Sequence, residues 1–182
     1  MPSGDKAPPM RRVAVFGNAG GGKSTLAREL AAVTGLPLHV VDMMRWRPGG
    51  IAVPVEEYQA AHAALLREER WIIDGFENVA TAWQRFAAAD TLIHVDLPLA
   101  LHAWGVTKRL ARGLFVPPEG WPPGSPVWES SMSSYRVLWP CHRRLTPRYR
   151  QLLRESADVK RVHHLRSRAE VAAFLAAVTQ AS

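Results

Sequence analysis

Several scarcities narrow the class of this 182-residue chain before any motif is considered. It holds one cysteine, Cys141, so no internal disulfide can staple the fold, which suits a reducing compartment. The thiol reads as a small core or boundary residue. No apolar run approaches the roughly 18 residues that a membrane span requires, and the first ten residues lack the apolar centre of a signal peptide. The expectation is a cytoplasmic protein without a membrane partner. Acidic residues are scarce in the second half: residues 101–182 carry 5 Asp or Glu against 13 Lys or Arg, whereas residues 1–100 carry 11 against 10. No internal repeat is present. His163 and His164 are adjacent, so on a strand they face opposite ways and do not share a metal.

What is present centres on one stretch, Gly17-Asn18-Ala19-Gly20-Gly21-Gly22-Lys23-Ser24-Thr25. It follows an apolar run, Val13 to Phe16, that reads as a buried strand, and opens a run from Leu26 to Val33 that reads as a helix. This is a P-loop in its proper context. Glycines leave the backbone N–H groups free to turn toward a polyphosphate, and the helix points its positive end at the same anion. The motif predicts that these nine residues hold ATP, with Lys23 reaching the β- and γ-phosphates and the Ser24 hydroxyl ligating Mg2+.

The rest of the chain alternates strand and helix. A tail over residues 1–10 is expected to be disordered, and residues 11–182 to form one domain. Strands are expected at 38–41, 71–73, 91–95 and 159–165, with helices at 54–69, 79–89, 99–111, 127–138, 147–155 and 169–178. Residues 113–126 contain five prolines and three glycines and are expected to be irregular. Such alternation predicts an α/β three-layer sandwich around a five-stranded parallel sheet, covered on both faces.

In such a sheet the ligand sits beyond the carboxyl ends of the strands. Three strands there end in aspartate: Asp42, Asp74 and Asp96. Asp74 is expected to hold magnesium through water, and Asp42 to orient or deprotonate an acceptor hydroxyl. Asp96 is also read as a turn or cap residue, with Pro98 behind it starting a helix. Arg109 and Arg112, three apart on one helix face, are expected to stabilise the transferring phosphoryl group. Arg45, Arg47 and Arg85 are further candidates for holding an acidic acceptor.

Beyond these features the chain resembles a known group. Ile73-Asp74-Gly75-Phe76 is similar to a segment of the adenylate kinases, and the motif order is that of the nucleoside monophosphate kinase group. Closer still are small bacterial adenylate kinase-related, topology-modulation-like proteins. The features shared with them are Asp42, Trp46 and Pro48-Gly49, Trp71 to Gly75, Asp96-Leu97-Pro98, then Lys108, Arg109 and Arg112, with Arg143-Arg144 and Leu165-Arg166-Ser167 later. The resemblance implies an adenylate kinase-like P-loop NTPase fold with a lid-like insertion at about 113–156, and ATP and Mg2+ as cofactors. The pattern departs from the adenylate kinases at Glu77 and Asn78, where they carry proline and a phosphate-binding arginine, and lacks their adenine-reading glutamine. AMP is therefore not carried over as the acceptor. At the Asp42 position the chain also resembles shikimate-type kinases.

The leading expectation is a phosphotransferase moving the γ-phosphate of ATP to a nucleotide, nucleoside or other small hydroxyl- or phosphate-bearing acceptor. The alternative is an ATP-binding regulatory protein whose basic C-terminal part contacts nucleic acid. A GTP switch is disfavoured, because Thr107-Lys108-Arg109-Leu110 lacks the aspartate of a guanine-recognition motif.

Overall fold

A computed structural model describes residues 10–181, apart from 48–50, 77 and 114–126. The expected tail, apart from Met10, which packs against the core, and most of the irregular segment lie outside the described residues.

The N-terminal strand β1 (Arg12–Gly17) is apolar over four consecutive positions, Val13 to Phe16, and all four are buried. A strand apolar on both faces belongs in the middle of a covered parallel sheet. That is its place: α1 (Lys23–Thr34), β2 (Leu38–Val40), a short antiparallel hairpin of β3 (Trp46–Arg47) and β4 (Ile51–Ala52), α2 (Val55–Leu65) and β5 (Trp71–Asp74) follow it. Then come α3 (Val79–Ala88), β6 (Thr91–Val95), α4 (Leu99–Gly113), α5 (Val127–Pro140), α6 (Thr146–Ser156), β7 (Arg161–Leu165) and α7 (Arg168–Ala181). The main sheet runs β2-β5-β1-β6-β7, and every pairing in it is parallel.

Alternation along the central strand splits the core in two. Val13 and Val15 join Leu26, Leu30, Ile72, Ile93, Leu165 and Phe174 under α1 and α7. Ala14 and Phe16 join Ile73, Leu92, Ala82, Phe86, Tyr149 and Leu153 under α3 and α6. Full burial of one such aliphatic or aromatic side chain is worth about 1.5–3 kcal/mol, so each face is anchored many times over. The three-layer α/β sandwich expected from the sequence is the observed fold.

Three local differences have physical causes. The helix expected to Glu69 ends at Leu65, because Arg67 N–H and Glu68 N–H donate back to Ala64 and Leu65 carbonyls, tightening the last turn. The last strand begins two residues late, since the amides of Val159 and Lys160 both donate to the Ser156 carbonyl in a turn. The helices expected at 127–138 and 147–155 are one continuous kinked rod. Pro140 closes α5 without an N–H, a π-turn spans Cys141–Leu145, and α6 continues directly. Of the stretch expected as a lid, residues 127–156 form this rod, whose α5 part packs on α4 and whose α6 part packs on the sheet.

Among the described residues no helix is long and apolar enough to cross a membrane.

Candidate functional site

The P-loop leaves the carboxyl end of β1 and is gripped from two sides. Asn18 is buried; its amide donates to the Leu138 carbonyl of α5 at 2.9 Å, and its side-chain oxygen accepts from Ala19 N–H at 2.9 Å. From α4, His102 Nδ1 lies 2.9 Å from the Ala19 carbonyl, so Nδ1 carries the proton. One turn further along, Gly105 touches the loop so closely that a Cβ would meet the Gly20 carbonyl oxygen at 2.0 Å. Burial lowers the basicity of His102, against the pull of the Ala19 carbonyl.

The start of α1 is open and free of acid. Gly22 starts α1 at φ 83, a left-handed conformation that favours glycine, and it carries no capping side chain. The first turn of α1 holds no acid. Its amides and positive dipole end are therefore left for a phosphate. Lys23 Nζ donates to the Asn18 carbonyl at 2.8 Å, which parks the ammonium inside the loop.

Opposite the loop stand the two aspartates at the ends of β2 and β5. Asp74 is 1% exposed, and its Oδ1 has no hydrogen-bond partner. A sealed carboxylate oxygen without a donor is costly, and a hydrated cation held between it and the Ser24 hydroxyl would relieve that cost. The donor set, a hydroxyl and a carboxylate, fits magnesium. Asp42 lies against Gly75, with Oδ1 accepting from Phe76 N–H at 2.9 Å. One side of Asp42 meets solvent and the other is crowded by protein. Burial pushes its carboxyl above the usual range, and the Asp74 charge adds to this, against the Phe76 bond, Lys23 and Arg85.

The arginines separate into different roles. Arg109 lies near the site: Nη2 donates to Ser134 Oγ at 2.6 Å, and burial lowers its basicity against the pull of the Asp42 charge. Arg112 lies in the last turn of α4 and is exposed, with no hydrogen bond or ion pair among the described residues. Arg47 is held on the surface by Glu57. Arg45 donates to the Val53 carbonyl at 3.0 Å and lies over the Tyr58 ring. Arg85, on the inner face of α3, is 2% exposed.

Asp96 belongs to a separate cluster. Arg150 donates to both of its oxygens, at 2.7 and 3.1 Å, and His164 Nε2 lies 2.7 Å away. Burial alone would raise its carboxyl, but these bonds outweigh that and hold it at about 2. His94 stacks between Phe16 and His164. His94, Asp96 and His164 lie close enough together to share an ion, but the guanidinium already on Asp96 repels one.

Two residues that shape the loop, His102 and Gly105, were not among the sequence candidates. The signal for the second was a glycine inside an otherwise regular helical pattern, which marks a close approach.

No protein-family model and no curated protein matches the sequence. Among solved structures, the chain is similar to a shikimate kinase from Acinetobacter baumannii in complex with shikimate. The TM-score is 0.56 and the identity 15%, over 94% of this chain and 92% of that one. An unliganded sugar kinase from Janibacter sp. is similar at a TM-score of 0.40 and 21% identity, over 69% of this chain and 78% of that one. At 15% identity the first likeness is one of fold: the chain shares the α/β fold of that protein. The second is too weak to add to it.

Proposed function

We propose that this chain is an ATP-dependent phosphotransferase acting on a small acceptor that carries a hydroxyl or phosphate group. The observation behind the proposal is Asp42: a carboxylate fixed against Gly75 by the Phe76 amide, with Oδ2 not engaged by that bond, within the charge field of the P-loop lysine. A loop that only binds or hydrolyses nucleotide has no need of a second carboxylate prepared to take an acceptor's proton.

In the proposed reaction the acceptor oxygen forms a bond to the γ-phosphorus of ATP. The bond from that phosphorus to the β–γ bridging oxygen breaks, ADP leaves, and the acceptor's proton passes to Asp42 Oδ2. Lys23 exchanges its bond to the Asn18 carbonyl for one to a phosphate oxygen, while the loop amides hold the remaining oxygens. Magnesium, held by Ser24 and through water by Asp74, supplies charge neutralisation when bound. Arg109 adds a cation beside the transferring group, and Arg112 would join it only if the end of α4 moved inward. The shared fold with a kinase supports this reading, and the motif order of the nucleoside monophosphate kinase group keeps nucleotides among the acceptors to assay.

The test is magnesium-dependent ADP release from ATP with a panel of nucleosides, nucleoside monophosphates, sugars and hydroxy acids, with Lys23→Ala and Asp42→Ala alongside. Stimulation by one acceptor, lost in both variants, is the expected result. ATP binding through Lys23 without acceleration by any acceptor would sink the proposal and favour the regulatory alternative. That alternative requires strongly salt-dependent nucleic-acid binding through the basic C-terminal half.

A further inference from the structure

Arg85 is the group that the P-loop chemistry leaves unexplained. Its side chain is among the largest fully buried ones, and neither Nε nor Nη1 has a hydrogen-bond partner. Among the described residues no carboxylate forms an ion pair with it, although Asp42 and Asp74 are near enough to feel its charge. Three other arginines are committed: Arg150 to Asp96, Arg47 to Glu57, Arg109 to Ser134. An isolated guanidinium withdrawn from water costs several kcal/mol unless an anion meets it. The cost is written into the sequence, because Arg85 occupies the stripe Ala82, Arg85, Phe86, Ala89 that α3 turns to the core.

A second unsatisfied group converges on the same place. His62 of α2 is 1% exposed, its Nδ1 lacks a partner, and it stacks on Tyr58. Burial, with the Arg85 charge behind it, lowers His62 to about 4, so it is a neutral hydrogen-bonding group at pH 7. Tyr58 also lies within the field of Arg85. A forked cation and a neutral imidazole, both buried and both with nitrogens that lack a hydrogen-bond partner, lie near each other, and the cation lies within the charge field of Asp42.

We infer that Arg85 is the receptor for an oxyanion on the acceptor, so that the substrate is a hydroxyl-bearing acid, either a carboxylate or a phosphate ester. This rests on the phosphotransferase reading for its substrate role, while the oxyanion site itself stands on Arg85 and His62. A guanidinium meets either oxyanion with two parallel bonds. A neutral analogue leaves the buried cation unpaired, which is the kind of loss that gives strong discrimination. The arrangement separates two tasks: Lys23 and the loop hold the donor, and Arg85 fixes the acceptor with its hydroxyl toward Asp42.

Two arms test this. In the first, the 15Nε–1H resonance of Arg85, assigned by its loss in Arg85→Lys, is followed in the full-length wild-type chain. The titrants are formate, inorganic phosphate and, as a control at equal ionic strength, chloride. A saturable shift with formate identifies a carboxylate site, one with phosphate a phosphate-ester site, and a resonance unmoved by both overturns the inference. In the second, ATP turnover is compared for glycerate and glycerol 3-phosphate against glycerol, and for gluconate and glucose 6-phosphate against glucose. The acid of a pair is expected to accelerate turnover and its neutral partner not to. Arg85→Gln is expected to raise the KM for that acid about 100-fold while leaving the KM for ATP in place. Equal use of acid and neutral members, with Arg85→Gln affecting both alike, would overturn the inference. A saturable shift in the first arm with no acceleration by any acceptor would retire the phosphotransferase reading and leave the oxyanion site standing. Should Arg85→Gln fail to fold, the wild-type resonance titration still decides.

Discussion

Replacing Gly105 by alanine sets two forces of known size against each other. In an unobstructed helix interior the change gains about 1 kcal/mol, because alanine loses less backbone entropy than glycine. Here the added Cβ would lie 2.0 Å from the Gly20 carbonyl oxygen, 2.9 Å from its carbon and 3.1 Å from its Cα. Cβ contacts below 3.0 Å essentially do not occur, so α4 and the P-loop must separate by about 1 Å. The obstruction is backbone, and no rotamer change relieves it. Overpacking of this kind typically costs 1–3 kcal/mol, and a backbone clash belongs at the upper end. After the helix gain is set against it, about 1–2 kcal/mol of stability is lost, a fall in Tm of roughly 2–8 °C for a domain of this size. The displaced loop carries the amides proposed to hold phosphate, and on that reading ATP affinity is expected to fall by about tenfold or more. Thermal melting followed by circular dichroism and equilibrium ATP binding measure the two effects separately. A variant with an equal or higher Tm and unchanged ATP affinity would refute the close packing of α4 on the loop.

Acid should destabilise the protein early. Burial pushes His94 down to about 3 and His62 to about 4, whereas the unfolded chain takes up these protons near 6.5. Between about pH 6.5 and 4 the unfolded state binds more protons, so stability is lost as pH falls, by up to about 1.4 kcal/mol per pH unit for each histidine. Denaturant titrations across that range should show a shallower loss in His94→Phe, and an unchanged slope would contradict it. Asp42→Asn should lower turnover by about 100-fold or more. Because folded Asp42 holds its proton more tightly than the unfolded chain does, its burial costs stability as pH rises above 3.8, so this variant should also melt higher than wild type at neutral pH. An Asp42→Asn protein that is active or melts lower would count against the assignment. Asn18→Ala leaves the Leu138 carbonyl without its donor and should cost about 1–3 kcal/mol, read as a lower Tm together with weaker ATP binding.

The features legible in the sequence are those carried by local pattern. Val13 to Phe16 announced a central strand because nothing polar interrupted it, and Gly17 to Thr25 announced a glycine-rich turn into a helix, which is how β1 passes into α1. Asp42 and Asp74 were legible as strand-terminal acids. The hairpin of Trp46–Arg47 and Ile51–Ala52 was not, since two residues a side carry no period. Asp96 looked like its fellow acids; its tie to Arg150 and His164 spans 54 and 68 residues, a distance at which local patterns are silent. The candidate Arg85 carried an unread clue: its spacing with Ala82, Phe86 and Ala89 placed it on the inner stripe of α3. His102 and Gly105 were hidden inside a regular helical pattern.

The bond from Asn18 to the Leu138 carbonyl joins residues 120 positions apart, and that separation sets an order of events during synthesis. The loop leaves the ribosome 120 residues ahead of its tether on α5. β1 likewise waits for β5 and then β6 before it has neighbours on both sides. A nascent chain therefore exposes a loop that is correct in composition but not yet held in shape, and the proposed nucleotide capture would be a late acquisition. Arrested chains ending before and after residue 138 would bind ATP very differently, although both carry every residue of the loop.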